Sequence, residues 1–128
     1  MKIAIKIVIT VVVLLVGMFL IASIGLKDIQ RMQINSVDLS KLDNGVYSGT
    51  FQKVRWRHEV EVTIKDHRIV AISNTNKLAG FNRTTANASI QRIIEKQSVI
   101  IDAVAGATVN TKAFQKAVEN ALTGGKRK

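Results

Sequence analysis

The N-terminal part of the chain is apolar on every side, and this pattern predicts a membrane-spanning helix. From Ile7 to Leu26 only Thr10, Ser23 and two glycines interrupt the apolar residues. At a rise of about 1.5 Å per residue, roughly 20 residues cross the ~30 Å hydrocarbon core of a bilayer. We therefore predict a transmembrane signal anchor over residues 1–26. A cleaved signal peptide is the alternative, because Ser23 and Gly25 frame a passable cleavage site.

The middle of the chain alternates between apolar and polar residues, and a period of two predicts strands. Val46 to Phe51 predicts the first strand. A longer alternating run follows, with these apolar residues on one face: Val54, Trp56, His58, Val60, Val62 and Ile64. Asp66 and His67 then form a predicted hairpin turn, since histidine is among the non-glycine residues enriched at positive φ. Ile69 to Ile72 predicts the third strand.

Apolar residues recur at helical spacing in two later segments. The first predicted helix runs from about Thr84 to Lys96, with Thr84 or Thr85 as its cap. Its apolar stripe consists of Ala86, Ile90, Ile93 and Ile94. We expect a short, mostly buried strand from Val99 to Val104 and a last helix from Asn110 to Leu122. This helix is expected to stop at Gly124 and Gly125.

The order strands, helix, strand, helix predicts an α+β fold. We expect an N-terminal transmembrane helix followed by a small domain, with a mainly antiparallel sheet and two helices packed on one face. Residues 27–42 are polar without a sustained period and are interpreted as a stalk. The domain is predicted over residues 43–123, and residues 124–128 as a solvated basic tail.

Composition narrows the function classes. The chain has 128 residues, a formal net charge of +10 and no cysteine. Disulfides, thiolate metal sites and a lipoprotein anchor are therefore excluded. The basic residues are scattered, which favours a solvated basic surface, although binding to anionic polymers stays open. Nucleic acid is not expected as a partner. The sequence contains no HExxH, P-loop or GxGxxG motif, so we predict no catalytic residue and no metal ligand.

The stretch from Asp102 to Thr111 carries the candidate chemistry. It predicts the end of a strand, a tight turn at Gly106 and a helix that opens on a threonine. Thr108 is therefore expected at or beside a helix N-terminus, where N–H groups and the positive end of the helix dipole favour an anion. A hydroxyl at that point can cap the helix, bind a phosphate or be esterified by one. On spacing alone, a plain helix cap is the simplest interpretation.

The same stretch resembles the FMN-binding domain of membrane-bound electron-transfer complexes, namely sodium-pumping NADH:quinone oxidoreductases and Rnf complexes. The family pattern is an Asp, two residues, then Ser/Thr-Gly-Ala-Thr or Ser, and this chain matches it at Asp102 and at Gly106 to Thr108. The opening at residues 43–50 and Gln97-Ser98 also match. The chain departs from the pattern at Ala105, which replaces a hydroxyl residue, and in the loop of residues 74–80, which lacks the family's Glu-Thr-Pro-Gly run.

The resemblance implies FMN as the cofactor and a phosphoester bond between its phosphate and the Thr108 hydroxyl, made by a flavin transferase. The cofactor-binding residues expected on this basis are Thr108, Ala107, Gly106, Ala105, Asp102, Val109, Thr111, Asn74 and Lys77. Tyr47 and Phe81 are weaker candidates for contact with the flavin ring. Asp102 is expected to be buried, and to bond N–H groups of the turn or to assist the transferase.

Two aromatic residues of the alternating strand have competing interpretations. Trp56 can stack on a flavin ring, but packing in or beside the core is the commoner role of such a residue. His58 can tune the flavin or move protons, and a half-buried histidine with its hydrogen bonds satisfied is the simpler interpretation. Both residues belong to the apolar face of one strand.

Taken together, these features predict a membrane-anchored electron carrier rather than a stand-alone enzyme. Lys2 and Lys6 before the apolar segment balance Lys27 and Arg31 after it, so charge alone does not orient the chain. The resemblance implies a cytoplasmic N-terminus, an extracytoplasmic flavin domain, a membrane redox donor and a soluble or membrane acceptor. A tethered module that binds flavin without a covalent bond, or has no redox role, is the alternative.

Overall fold

The computed structural model describes residues 1–24, 26–53, 56–75, 83–103 and 107–127. Its elements, in chain order, are helix α1 (Lys2–Ser23), helix α2 (Leu26–Arg31), a 3-10 turn (Leu39–Lys41), strands β1 (Gly45–Lys53), β2 (Trp56–Lys65) and β3 (Arg68–Asn74), helices α3 (Arg83–Lys96) and α4 (Thr108–Gly124), and strand β4 (Lys126–Arg127).

Helix α1 presents apolar side chains to its surroundings along its whole length. Its residues Lys2–Ile21 form a stretch of 20 residues that is long and apolar enough to cross a bilayer, and none of this stretch is buried within the protein. Helix α1 is thus compatible with a single-pass membrane anchor, and it lies within residues 1–26, for which the anchor was predicted.

The sheet is antiparallel, with the strand order β3-β2-β1-β4. Alternate residues of β2 point into the core, as the period of two predicted. The β2–β3 hairpin is confirmed, because Asp66 and His67 occupy its turn with φ of 52° and 60°. A register shift between Thr63 and Ile64 then lets both Ile69 and Ile72 of β3 face the core.

Helices α3 and α4 cover one face of this sheet, which confirms the predicted α+β architecture. Helix α4 lies across β1 and β2, and α3 lies against β3 and α4. The core between these layers includes Phe114, Ala117, Val118, Ala121 and Leu122 from α4. Helix α3 presents Ala86 and Ile93 to it. Because α3 already begins at Arg83, Thr84 and Thr85 lie inside its first turn, so their predicted role as its cap is wrong.

A glycine in β1 allows α4 to pack directly on the backbone of the sheet. A Cβ atom on Gly49 would lie 2.6 Å from the carbonyl oxygen of Ala117 and would also overlap the backbone of Ala121. Two further contacts define the direction of the helix. The Asn120 side chain donates to the Thr50 carbonyl at 2.9 Å, and Phe114 meets His58 on β2. The N-terminus of α4 therefore points toward the end of the sheet where β1 ends and β2 begins.

The prediction of a strand from Val99 to Val104 is wrong for the described residues, because residues 99–103 form no strand. Val104 lies outside the described residues. Val99 and Ile101 are buried and Ile100 is exposed, so the apolar alternation is present. The Gln115 side chain, however, donates to the carbonyls of Val99 at 2.9 Å and Ile101 at 3.3 Å. A side chain of α4 thus takes the place of a neighbouring strand.

The C-terminal residues also differ from the prediction of a solvated tail. Lys126 and Arg127 form β4, which pairs with Ser48 and Tyr47 at the outer edge of β1. Gly125 makes this possible, because a Cβ atom there would overlap the Ser48 carbonyl oxygen. The two glycines therefore end α4, as predicted, and also return the chain to the sheet.

The segment predicted to be a stalk packs against the domain. It contains α2 and the 3-10 turn, and Ile29 of α2 is completely buried. Ile34, Val37, Leu39 and Leu42 pack, partly buried, against the core. Residues 27–42 are therefore not an extended polar connection, whereas the exact domain boundaries remain a prediction.

The contact at Gly49 yields a stability prediction. We expect Gly49→Ala to lower the free energy of unfolding by roughly 1–3 kcal/mol, because the added methyl group forces α4 away from β1. Gly124→Ala is the matched control, since a Cβ there meets nothing within 4 Å. It should leave stability unchanged or raise it by less than about 1 kcal/mol. Chemical denaturation of the detergent-solubilised chain measures both, and equal stabilities of the two variants would contradict the packing described.

Candidate functional site

The N-terminus of α4 exposes a threonine hydroxyl. Thr108 is the first residue of the helix and its side chain is exposed. Ala107 precedes it in the capping position and has no side-chain group that could cap the helix. The helix begins two residues earlier than predicted, so the interpretation of Thr108 as a plain helix cap is wrong. Thr108 is instead the first residue of the helix, and its side chain is exposed to solvent.

The electrostatics at the N-terminus of α4 favour the binding of an anion. The N–H groups of Thr108 and Val109 have no acceptor within α4, as is general for the first turn of a helix. Helix α4 carries no acidic residue in its first turn. The positive end of the helix dipole is therefore not neutralised by a carboxylate of the helix itself.

Thr111 has a different role from Thr108. Its side chain is buried, and its hydroxyl donates to the Ala107 carbonyl at 2.8 Å. The Thr111 N–H donates to the same oxygen at 2.9 Å. Thr111 thus closes the first turn of α4 from within and fixes Ala107 next to the exposed Thr108.

Asp102 is placed differently from the expectation of a buried carboxylate. Its side chain is 96% exposed and lies 3.8 Å from the Lys96 ammonium group. Its main chain is held instead, because Arg92 donates to the carbonyls of Asp102 at 2.9 Å and Ala103 at 3.2 Å. The Asp102 carboxylate is therefore accessible from solvent, and the expectation that it is buried and bonds the N–H groups of the turn is not met.

Two glutamines support the segment that leads into the site. Gln97, at φ 50°, accepts from the Ile69 N–H at 2.7 Å and donates to the Ile69 carbonyl at 2.9 Å and to the Ile94 carbonyl at 2.7 Å. It thereby pairs with β3 as a strand would. Gln115 holds the carbonyls that follow, as described above. Sequence reasoning missed Gln115, although a glutamine next to Phe114 in the apolar stripe of a helix is a signal for a buried polar contact.

His58 lies deeper than predicted and is not satisfied. Its side chain is 3% exposed, and within the described part of the chain its buried Nδ1 has no hydrogen-bond partner. The ring meets Phe114 edge to face, with centroids 5.6 Å apart. Burial lowers the pKa of His58 to about 4, so the ring is neutral at physiological pH.

Residues from three elements lie toward this end of the sheet, at different levels along it. Trp56, half-buried, is the first residue of β2 and pairs with Lys53 at the end of β1. Asn74, also half-buried, is the last residue of β3 and pairs with Val60. The N-terminus of α4 points to the same end. Tyr47 is separate, because it pairs with Val62 and donates to the Asp43 carbonyl at 2.8 Å near the start of β1.

Several expected site residues cannot be placed. Ala105, Gly106, Lys77 and Phe81 lie outside the described residues. Of the remaining candidates, Ala107, Thr108, Val109 and Thr111 form the start of α4. The roles assigned to all of these residues stay predictions.

The buried histidine generates a pH-dependent prediction. The pKa of His58 falls from its ordinary 6.5 to about 4 on folding. As pH decreases through this window the unfolded chain binds the proton first. The stabilising contribution is therefore complete above about pH 6.5 and is lost toward pH 4, with a slope of up to about 1.4 kcal/mol per pH unit. His58→Leu should remove this part of the pH dependence.

His67→Asn is the matched control, because His67 is the only other histidine and asparagine tolerates its positive φ. It should keep the wild-type slope. Urea denaturation between about pH 4.5 and pH 7 measures the slopes. A His58→Leu slope identical to wild type would show that His58 does not titrate as its burial requires.

A comparison with protein families agrees with this geometry. The model of the FMN-binding domain matches residues 56–123, which run from the start of β2 through nearly all of α4. The match spans more than half of the chain and includes Trp56, His58, Asp102 and Thr108. The chain thus belongs to the FMN-binding domain family, and its cofactor is FMN.

Proposed function

We propose that this protein is a single-pass membrane-anchored flavoprotein that carries electrons outside the cytoplasm, with FMN phosphoester-linked to Thr108. The observation that supports this most directly is the exposed Thr108 hydroxyl at the start of α4, within the region matched by the family model. A helix N-terminus without a side-chain cap and without an acidic residue in its first turn is suited to a phosphate group.

The residues around Thr108 fit the phosphate of FMN. The Thr108 hydroxyl provides the oxygen for the ester bond, and the first-turn N–H groups of α4 can donate to the remaining phosphate oxygens. Ala107 adds only a methyl group beside this position, so it does not fill the space in front of the helix. Thr111 keeps the first turn closed through its bonds to the Ala107 carbonyl.

The end of the sheet offers residues that can border the flavin ring. Trp56 is half-buried and therefore keeps part of its indole available for stacking. Asn74 ends β3 opposite Val60, four residues along β2 from Trp56, and can supply a polar contact. His58 is neutral, and its Nδ1 is the one buried side-chain nitrogen or oxygen atom in the described residues without a hydrogen-bond partner.

FMN, when bound, supplies transfer of one or two electrons, and the protein provides binding, orientation and electrostatics. A covalent bond suits a small domain whose attachment residue is exposed, because the cofactor then cannot dissociate. This assignment requires a flavin transferase for maturation, a membrane redox donor and a soluble or membrane acceptor. The domain acts as a carrier between these partners rather than as an enzyme with its own substrate.

The placement outside the cytoplasm is part of the same proposal. Helix α1 is compatible with a membrane anchor, and related flavin domains are exposed on that side of the membrane. Lys2 and Lys6 on one side of the apolar segment and Lys27 and Arg31 on the other leave orientation to this resemblance.

One departure from the family pattern favours a second candidate function. Ala105 occupies the position where relatives carry a hydroxyl, and that hydroxyl could serve the phosphate or the transferase. The second candidate is a membrane-tethered module that binds FMN without a covalent bond. It shares the fold and the site and differs only in how the cofactor is held.

The test is flavin attachment in the full chain co-expressed with a flavin transferase. After denaturation and electrophoresis, we expect the wild-type band to be fluorescent and the Thr108→Ala band to be dark. Thr108→Ser restores a hydroxyl at the same point and should be fluorescent. Thr123→Ala is the matched control and should stay fluorescent, because this exposed threonine lies at the far end of α4 and its hydroxyl donates to the Glu119 carbonyl at 2.7 Å.

The possible results separate the two candidates. A dark wild-type band from a protein that releases FMN on denaturation would contradict covalent attachment and favour the non-covalent module. A fluorescent Thr108→Ala band would place the bond on another residue. Binding that depends on salt and is independent of flavin would favour the interaction with anionic polymers instead.

A further inference from the structure

Helix α2 begins almost immediately after the apolar helix α1. Only two residues separate Ser23 at the end of α1 from Leu26 at the start of α2. Three steps of 3.8 Å between consecutive Cα atoms place these two ends within about 11 Å of each other. Whatever α2 contacts is therefore close to the end of α1.

Helix α2 is fastened to the same end of the domain that carries the site. Ile29 is fully buried. The Lys112 ammonium group donates to the carbonyls of Gln30 at 2.7 Å and Met32 at 3.3 Å. The Asp28 carboxylate lies 3.1 Å from the ammonium group of Lys53, the last residue of β1. Lys112 follows Thr108 by one helical turn, or about 6 Å of rise.

The chain then moves along α4 away from Thr108. The Asn35 main-chain N–H and side-chain amide donate to the Glu119 carboxylate at 3.3 and 3.1 Å, two turns beyond Lys112. Farther along, the Leu42 carbonyl lies 3.1 Å from Nδ1 of His67 in the β2–β3 turn. The order of these contacts runs from the start of α4 to its C-terminal half and then to the β2–β3 turn.

We propose that the docked segment of residues 26–42 holds the N-terminal end of α4 against the headgroup layer of the bilayer that α1 spans. The flavin site then faces the membrane surface, and the β2–β3 turn points away from it. This rests on the proposed membrane anchor and, for the flavin, on the proposed attachment at Thr108. It implies that the redox partner reaches the site at the membrane surface.

The charge of the docked helix matches this surface. Lys27 and Arg31 of α2 are exposed on either side of the buried Ile29. Basic side chains next to a membrane-spanning segment are attracted by anionic lipid headgroups. The same bilayer that holds α1 thus supplies a complementary surface for α2.

Site-directed labelling tests the orientation without requiring flavin. The chain has no cysteine, so a single introduced cysteine takes one fluorescent label. Thr108→Cys places the label at the start of α4, and Lys65→Cys places it on an exposed residue beside the β2–β3 turn. Each full chain is reconstituted into nanodiscs that contain anionic lipid and lipid with a nitroxide headgroup. We expect quenching to be several-fold stronger for the label at residue 108 than for the label at residue 65.

An insertion tests whether the docked segment causes this difference. Twelve Gly and Ser residues placed between Ile24 and Gly25 leave the domain intact and add a flexible spacer with a root-mean-square length of about 20 Å. Quenching at residue 108 should fall toward the value at residue 65. Equal quenching of the two labels without the insertion, or unchanged quenching with it, would overturn the proposal.

The two proposals fail in different ways. Labelled chains that do not copurify with the nanodiscs would overturn this orientation together with the membrane anchor. Absence of covalent flavin in the wild-type band concerns only the attachment at Thr108. The labelling result is unaffected by it, because Thr108→Cys carries no flavin ester.

Discussion

The close packing of α4 on β1 is the contact on which the other features depend. With no side chain at Gly49, the backbones of the helix and the strand can touch at Ala117 and Ala121. This contact fixes the direction of α4, which brings Phe114 onto His58 and turns Thr108 toward the end of the sheet where β2 begins. It also determines where Gly125 returns the chain to β1. A helix displaced from the sheet would move Thr108 and the C-terminal residues of β4 together.

Much of the fold follows from local patterns in the sequence. The period of two predicted β2 and its buried face, and Asp66 with His67 predicted the turn to β3. Both features depend on residues that are close together in the sequence. Segments that depend on contacts with distant residues were less predictable. The segment at residues 99–103 resembles a strand in its alternation, but its partner is the Gln115 side chain. The docking of residues 27–42 and the pairing of β4 likewise depend on contacts between residues far apart in the chain.

The place of Thr108 at a helix N-terminus was predicted better than the surroundings of the candidate residues. The glycine turn and the apolar stripe placed Thr108 near a helix N-terminus, where the structure has it. The helix begins two residues earlier than expected, so Ala107 occupies the capping position and Thr108, which is exposed, is the first residue of the helix. The sequence could not show that Asp102 is exposed or that His58 lacks a partner, since both depend on how α3 and α4 cover the surrounding segments. The candidate site therefore consists of the Thr108 hydroxyl and the N-terminus of α4, and the preceding segment is held by the Gln115 side chain.

The central proposal is that FMN is attached at Thr108, and peptide mapping tests it most directly. Cleavage after Lys96 and Lys112 releases a peptide that contains the hydroxyls of Ser98, Thr108 and Thr111. The Ser98 hydroxyl differs from that of Thr108, because its oxygen accepts a hydrogen bond from the Ile100 N–H at 3.1 Å. Fragmentation of this peptide by mass spectrometry, after co-expression with a flavin transferase, should locate one FMN on Thr108. A flavin on Ser98, Thr111 or another peptide, or an unmodified peptide throughout, would contradict the account.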